Sequence, residues 1–347
     1  MNLKKHKSIY RLRKKKYTFF LVKTMRNIVV TGGAGFLGRH ICERMLQLED
    51  TQVFCIDNLV TGSLNNISEF GENSRFYFVE YDITKELNLL IDRGMLPSEI
   101  DSIYHLACIA SPPVYKEYSI ETLMTSFVGT KSVLDLAKNT NAKVLFTSTS
   151  EVYGDPQVHP QPEEYFGNVN TVGERSCYDE GKRVAESLIY EYRRRYNLDL
   201  KIVRIFNTYG PYMDINDGRV ITNFIKQIML DKPLIIYGDG SQGRSFCYVN
   251  DMIDGLIAMM NSKEQGPINI GNPYNEFTLN ELVQEFEIVV ERQLSVKFIE
   301  ATENDPKQRK PDISKANKLL EWDPKVKLSE GILNTMEYFL KKNKYSK

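Results

Sequence analysis

The chain has 347 residues, and its 45 lysines and arginines equal its 45 aspartates and glutamates. A net charge of zero argues against a protein that binds nucleic acid by neutralising phosphates. The five cysteines are scattered, odd in number and free of C-x-x-C spacing, which argues against a disulfide framework and against a cysteine metal site. Reduced thiols of this kind are typical of a cytoplasmic protein, and we expect that location.

The N-terminal segment differs in kind from the rest of the chain. Its first 26 residues include many lysines and arginines and no acidic residue. Its apolar stretch, 18–22, is far shorter than the ~20 residues of a membrane span, and is also too short for a signal-peptide core. We therefore predict a basic, disordered tail over residues 1–25 and no membrane span.

Strands and helices alternate from residue 27 to residue 206. Short β-branched or apolar runs predict strands at 27–31, 53–57, 75–81, 102–107, 143–148 and 201–206. Helical spacing of apolar residues predicts helices at 39–48, 121–138 and 178–196. Alternation of this kind implies an α/β fold with a doubly wound parallel sheet and right-handed crossovers.

The second half of the chain has a looser pattern, beginning with a Gly-, Pro-, Asn- and Asp-rich stretch at 207–219. We predict a smaller C-terminal substrate-binding lobe formed by 207–239 and 273–340. Residues 240–272 are expected to return to the larger domain, 26–206. The lysine-rich end, 341–347, is expected to fray.

Three glycines, Gly32, Gly35 and Gly38, lie between the first strand and the first helix. Bare backbone amides at a helix N-terminus can approach a pyrophosphate, and the helix dipole favours that anion. Asp57 ends the second strand, where it can accept from both ribose hydroxyls and repel a 2′-phosphate. This context predicts a Rossmann-type site for NAD rather than NADP.

Other residues follow the same strand ends and are predicted to line the cofactor site. They are Phe36, Leu37, Asn58, Thr61, Gly62, Ile83 and Leu106. Asp82, near the end of the third strand, could meet the adenine amine or could simply cap the strand end. The sequence leaves both interpretations of Asp82 open.

Tyr178 and Lys182 form a Tyr-x-x-x-Lys pair on one face of a helix. The motif alone is weak, because Tyr10 with Lys14 also matches it, as do two further pairs, Tyr81 with Lys85 and Tyr338 with Lys342. Only the helix of Tyr178 follows a strand that ends in hydroxyl residues, 147–150. An ammonium ~4 Å away at an effective dielectric of ~20 contributes about 4 kcal/mol. We therefore expect Lys182 to lower the pKa of Tyr178, so that the phenol can act as a base.

These features resemble the extended short-chain dehydrogenase family, and within it the UDP-glucuronate decarboxylases. The resemblance covers roughly residues 26 to 340. It rests on TSTSEVYGDP at 147–156, CYDEGKR at 177–183, RIFNTYGP at 204–211, NDGRV at 216–220 and RKPDI at 309–313.

The resemblance implies NAD as cofactor, UDP-glucuronate as substrate, and UDP-xylose and CO2 as products. Oxidation at C4 makes a ketone β to the carboxylate, which makes loss of CO2 easy, and re-reduction regenerates the cofactor. By matched position, Thr149 and Tyr178 would contact the reacting hydroxyl. Ser150 and Glu151 would handle protons near C5, and Arg244 would orient the carboxylate.

The resemblance also implies residues that hold the nucleotide. Tyr192, Thr208, Asp214, Arg219 and Tyr237 match positions near the nucleotide or its sugar, and Arg309 matches an arginine that contacts the diphosphate. The chain departs from the family where Asp214 often appears as His, and where Thr171 and Glu174 replace prolines. These departures bear on loop shape.

Alternatives remain open at this point. A 4,6-dehydratase, a 4-epimerase, or a decarboxylase that forms a 4-keto pentose or UDP-apiose would share most of these motifs. A non-catalytic NAD sensor would be expected to carry a damaged Tyr-Lys pair, and both residues are present. The histidines show no ligand spacing, so no metal is predicted. In the resembled family the helices at 121–138 and 178–196 pair between subunits, which predicts a homodimer.

Overall fold

A computed structural model describes residues 25–300 and 308–344 of the chain. The predicted tail lies outside these residues except for Met25, and so does the end of the chain at 345–347. The strands in chain order are β1 (Arg26–Thr31), β2 (Thr51–Asp57), β3 (Phe76–Glu80), β4 (Ser102–His105), β5 (Lys143–Thr149), β6 (Leu200–Ile205), β7 (Thr208–Tyr209), β8 (Leu234–Tyr237), β9 (Gly243–Ser245), β10 (Cys247–Tyr248), β11 (Ile268–Ile270), β12 (Glu276–Thr278), β13 (Val296–Ile299) and β14 (Gln308–Arg309).

The helices surround the central sheet or belong to the C-terminal half. In chain order they are α1 (Phe36–Leu46), α2 (Asn88–Asp92), α3 (Pro112–Glu117), α4 (Ser119–Met124), α5 (Thr130–Thr140), α6 (Ser176–Tyr196), α7 (Val220–Met229), α8 (Val249–Asn261), α9 (Leu279–Val290), α10 (Ser314–Leu320) and α11 (Leu328–Lys344). None of the helices in the described part of the chain combines the length and the apolar character needed to cross a membrane.

The central sheet has seven strands in the order β11-β6-β5-β4-β1-β2-β3, and all of its pairings are parallel. The order reverses between β1 and β4, which is the point where such sheets bind ligands. The expected doubly wound α/β fold is confirmed. β11, far along the chain, pairs with β6 and extends this sheet.

The sheet is buried on both faces, which explains why its strands are continuous apolar runs rather than alternating ones. Val29, Val30, Ile56 and Ile103 are fully covered. One apolar cluster fills the face towards α1 and α8, and a second fills the face towards α5 and α6. The predicted helix at 121–138 is real but interrupted, because a π-helical turn at Thr125–Gly129 joins α4 to α5.

The C-terminal half adds small sheets beside the carboxyl ends of the central strands. β9 pairs with β12 and β14, β13 pairs with β8, and β10 pairs with β7. This packing sets β9 and β14 across a cleft from β5 and the first turn of α6. The cleft therefore lies at the edge where the parallel strands end.

Candidate active site

The cleft at the carboxyl edge of the sheet has a volume of about 1430 Å³. Its walls come from the turn after β1, the ends of β2 and β5, the first turns of α6, and the loops and strands of the C-terminal half. Parallel strands present their carboxyl ends at one edge, so residues distant in sequence meet there. The glycine turn and the Tyr-Lys pair open into this same cleft.

The glycine turn after β1 fits a pyrophosphate. Gly32 has a φ of +74°, and a Cβ at that position would lie 2.7 Å from the backbone nitrogen of Ala107. A Cβ on Gly38 would collide with the carbonyl oxygen of Gly32. Gly35 begins α1 with no side-chain cap, which leaves backbone N–H groups of the first turn available for an anion.

Asp57 fits a ribose that carries two free hydroxyls. Its side chain is buried, and it accepts hydrogen bonds from the amides of Ala34 (3.0 Å) and Leu59 (2.8 Å). Burial raises the pKa of Asp57, against the lowering effect of these bonds. Two amides use only part of the acceptor capacity of a carboxylate. A Cβ on Gly62 would lie 2.6 Å from Asp57 Oδ1, so glycine keeps this acceptor accessible.

Most residues predicted for the cofactor do line the cleft. Those that do are Gly32, Gly35, Phe36, Leu37, Gly38, Asp57, Asn58, Thr61, Gly62, Ile83, Leu106, Tyr178 and Lys182. Asp82 does not. Its Oδ1 accepts from the amide and the hydroxyl of Thr84, both at 2.9 Å. β3 ends at Glu80, so Asp82 already belongs to the following turn, which it caps.

The Tyr-Lys pair lies against the end of β5. The Lys182 ammonium is buried and donates to the carbonyl oxygen of Thr147 at 2.8 Å. The ring of Tyr178 stacks on Tyr115, with centroids 5.4 Å apart and planes 5° apart. The stacking and the buried ammonium hold both side chains in defined positions at the cleft wall.

The protein's own residues do not lower the pKa of Tyr178, so this expectation is wrong. Burial raises the pKa of Tyr178 and outweighs the lowering effects of a hydrogen bond with Thr149 and of the charge on Arg219. Burial also lowers the pKa of Lys182. The sequence-based expectation took the ammonium as the larger effect on the Tyr178 pKa, whereas in this buried pair desolvation is the larger cause.

Glu151 lies in the 3₁₀ turn Ser150–Tyr153, directly after β5. Its carboxylate is paired with the guanidinium group of Arg175 and with that of Arg309. Burial by itself would raise the pKa of Glu151, but the charges of Arg309, Arg175 and Arg244 outweigh it and bring the pKa to about 2. Glu151 is therefore an ionised, fixed carboxylate at neutral pH.

Arg309 lines the cleft and is tied to the turn that carries Glu151. It is 1% exposed, donates to the carbonyl oxygens of Ser150 and Gly154, and contacts both carboxylate oxygens of Glu151. With these partners Arg309 anchors the turn that carries Glu151, and its contact with the diphosphate stays a prediction. Sequence reasoning did not predict the contact with Glu151, because Arg309 and Glu151 are 158 residues apart.

Arg175 is a site residue that the sequence analysis missed. It precedes α6, and besides Glu151 it approaches Asp179, with Nε 3.8 Å from Oδ2. A signal was available, because Arg175 is three residues before Tyr178 and four before Asp179, spacings that share one helix face. Arginine with its rigid fork suits contact with two carboxyl groups.

Arg244 lies on β9 and lines the cleft. It pairs in register with Arg309 of β14 and with Phe277 of β12, so the neighbouring strands hold its backbone on both sides. Its charge is one of those that lower the pKa of Glu151. Three guanidinium groups therefore act on one carboxylate at this wall of the cleft.

Residues predicted for the nucleotide line the cleft further along, with one exception. Thr208, Asp214, Arg219 and Tyr237 are at the cleft wall, and Arg219 donates to Asp217 and to the carbonyl oxygen of Ala110. Tyr192 is outside it, and its hydroxyl donates to Asp135 at 2.7 Å. Tyr192 lies roughly four turns beyond Tyr178, about 21 Å along the helix axis, so the structure does not bring it to the other residues predicted for the nucleotide.

The fold and this cleft define a dinucleotide-binding enzyme of the α/β class. A model of the NAD dependent epimerase/dehydratase family matches residues 28–271, and the chain belongs to that family. Within it, the chain is 50% identical over 305 residues to UDP-glucuronic acid decarboxylase 3 of Arabidopsis thaliana, covering 88% of this chain and 86% of the relative. It is 43% identical over 321 residues to UDP-glucuronic acid decarboxylase 1 of Danio rerio, covering 92% and 74%.

A solved structure supports the same assignment of the fold. UDP-glucuronic acid 4-epimerase from Bacillus cereus, in complex with UDP-glucuronic acid and NAD, superposes with a TM-score of 0.81 and 30% identity. The match covers 91% of this chain and 99% of that chain.

Proposed function

We propose that the protein is an NAD-dependent UDP-glucuronate decarboxylase that forms UDP-xylose and CO2. The observation that carries the proposal is the group of Arg175, Arg244 and Arg309 around Glu151, in the same cleft as Tyr178. An excess of guanidinium charge at this wall suits an acidic sugar. The relatives named UDP-glucuronic acid decarboxylase, at about half identity over most of the chain, support the same substrate.

The glycine turn and Asp57 are the residues that would hold the dinucleotide. When bound, NAD supplies an electron-pair acceptor for C4 of the sugar and a positive charge that favours the phenolate form of a nearby tyrosine. Tyr178 then takes the proton of the C4 hydroxyl, with Thr149 as its hydrogen-bonding neighbour. Lys182, held by the Thr147 carbonyl, keeps a positive charge beside this wall.

The three arginines and Glu151 act near the carboxylate of the sugar. Arg244 orients the carboxylate of the substrate, while Arg309 and Arg175 keep Glu151 in place. The ketone at C4 is β to the carboxylate. When CO2 leaves, the electron pair of the C5–C6 bond therefore passes into an enolate. Thr208, Asp214, Arg219 and Tyr237 hold the nucleotide.

The test is a product assay on the purified protein. With UDP-glucuronate and NAD, we expect CO2 and UDP-xylose in equal amounts, identified by NMR, and no net accumulation of NADH. A hexose product without CO2 would contradict the proposal and indicate an epimerase. Release of a 4-keto pentose or a branched sugar would indicate a different decarboxylase.

We also propose a cytoplasmic homodimer. Four apolar side chains, Ile120, Leu123, Met124 and Phe127, are spaced as one helix face and are between 41% and 71% exposed. An exposed apolar stripe of this kind is typical of a surface that pairs with another copy. The five free cysteines support a reducing location.

A further inference from the structure

Asp179 is a buried carboxyl group that the proposed reaction leaves without a role. It follows Tyr178 in the first turn of α6, is 7% exposed and lines the cleft. Its Oδ1 atom is buried and has no hydrogen-bond partner among residues 25–300 and 308–344. An ionised carboxylate with an unpaired buried oxygen is costly, and a proton on the group removes most of that cost.

Arg175 lies between this carboxyl group and Glu151. Its Nη2 pairs with Glu151 Oε2, and its Nε is 3.8 Å from Asp179 Oδ2. Glu151 has a second guanidinium partner, Arg309, whereas within the described part of the chain Asp179 has only the longer contact with Arg175. Of two nearby carboxyl groups, the better paired one keeps the negative charge and the other keeps the proton.

The charged and titratable groups around Asp179 agree with this division. They are Arg175 just before α6, Cys177 and Glu180 on α6, Glu151 after β5, Arg309 on β14 and Tyr115 on α3. Burial, followed by the charge of Glu151, raises the pKa of Asp179 to about 7, against the opposing charges of Arg175 and Arg309.

The chemistry of the proposed function requires a proton for C5 of the sugar. The C5–C6 bond breaks, CO2 leaves, and the electron pair of that bond forms the C4–C5 double bond of an enolate. A proton must then form the C5–H bond, which restores the C4 carbonyl. Glu151 is ionised at neutral pH and holds no proton to give.

We propose that Asp179 stores this proton as a neutral carboxylic acid, delivers it into the cleft to C5, and regains a proton from solvent. The inference rests on the proposed function, because only decarboxylation creates the enolate. Arg175 serves as a positioning residue, because it pairs with Glu151, which keeps the charge, and contacts Asp179 at the longer distance.

The test is the pH profile of kcat for Asp179→Asn. In the wild type the protonated acid is the active form, so kcat falls as the pH rises through about 7. We expect Asp179→Asn to lower the plateau of kcat at least ~100-fold, the smallest usual contribution of a general acid. The decrease above neutral pH should vanish, and NAD affinity and thermal stability should stay unchanged. Asp179→Glu should restore the decrease, and Glu191→Gln, whose side chain pairs with Arg194 further along α6, should keep the wild-type profile.

A second variant decides the question if Asp179→Asn does not fold. Arg175→Gln removes a charge that holds the pKa of Asp179 down, so the decrease in kcat should move to higher pH. An unmoved profile in Arg175→Gln, an unchanged profile in Asp179→Asn, or a loss confined to NAD binding would each overturn the inference. Absence of CO2 release by the wild type would instead contradict the proposed function itself.

Discussion

The guanidinium group of Arg309 lies along the carboxylate of Glu151, with Nη1–Oε1 and Nη2–Oε2 each 3.3 Å apart. The same guanidinium group donates to Gly154, so one buried side chain joins the C-terminal half to the turn after β5. A buried pair of this kind gives geometric specificity more surely than stability.

Arg309→Lys should disturb the position of Glu151 and so lower kcat, without changing the binding of NAD. A lysine keeps the charge but cannot span the Ser150 and Gly154 carbonyls and the carboxylate together. We expect kcat for CO2 release to fall about 100-fold, comparable to loss of one preorganised donor, with the Kd for NAD unchanged. Lys310→Gln is the matched control, since the adjacent Lys310 pairs with Glu276 at 2.8 Å outside this contact. A normal kcat in Arg309→Lys would remove Arg309 from the mechanism.

Tyr178→Phe should abolish turnover while leaving NAD binding nearly intact. The substitution removes the hydroxyl that takes the C4 proton and keeps the ring that stacks on Tyr115. Product formation and NAD titration by calorimetry measure the two effects separately. Tyr115→Phe is the control, because the Tyr115 hydroxyl has no hydrogen-bond partner in the described part of the chain and should be dispensable. Residual activity near wild type in Tyr178→Phe would overturn the assignment.

Asp57→Asn should weaken NAD binding and reduce discrimination against NADP. A hydrogen bond to a charged group contributes about 1.5–3 kcal/mol, so we expect the Kd for NAD to rise roughly 10- to 100-fold. The neutral amide no longer repels a 2′-phosphate, so the affinity ratio should shift towards NADP. Glu80→Gln is the control, because Glu80 on β3 pairs in register with Asp57 but has an exposed side chain. Equal losses in both variants would argue against a specific contact.

His105 should make the protein less stable as the pH falls below about 6.5. Burial, followed by the charge of Lys182, lowers the pKa of His105 from 6.5 to about 3. Between these values the unfolded chain binds a proton that the folded chain does not, so the free energy of unfolding decreases with falling pH. Its ring nitrogens contact the hydroxyls of Thr31 (2.8 Å) and Thr130 (3.0 Å).

Urea unfolding at a series of pH values between 3.5 and 7.5 tests this dependence. His105→Gln should be less stable at neutral pH, because those contacts are lost, but its stability should depend less steeply on pH. The slope should differ by up to about 1.4 kcal/mol per pH unit, the limit for one proton. Parallel curves for the two proteins would show that His105 does not contribute.

Ile120→Arg should convert the proposed dimer into a monomer. Ile120 is 71% exposed on α4, and a charge in the middle of an apolar contact between two copies would be desolvated without a partner. Sedimentation equilibrium should give twice the chain mass for the wild type and one chain mass for the variant. Ile288→Arg on α9, where the side chain is 66% exposed, should leave the mass unchanged. A monomeric wild type would contradict the proposal.

The sequence by itself determined the parallel sheet, the glycine turn, Asp57 and the Tyr-Lys pair. These are local features, because periodicity sets each strand and helix, and spacing within one turn sets which side chains share a face. Strand ends such as Asp57 of β2 and Thr149 of β5 then lie at one edge of the sheet for topological reasons alone. Asp82 caps its own turn, one of the two interpretations that the sequence left open, because β3 ends two residues earlier.

Only the tertiary structure decided the electrostatics of the site. Arg309 contacts Glu151 across 158 residues of chain. Arg175 contacts Glu151 because α6 packs against the turn after β5. The sign of the pKa change at Tyr178 was also undecidable from spacing, since it depends on burial. Desolvation and short-range charge depend on what surrounds a group in three dimensions, and a one-dimensional pattern does not contain that information.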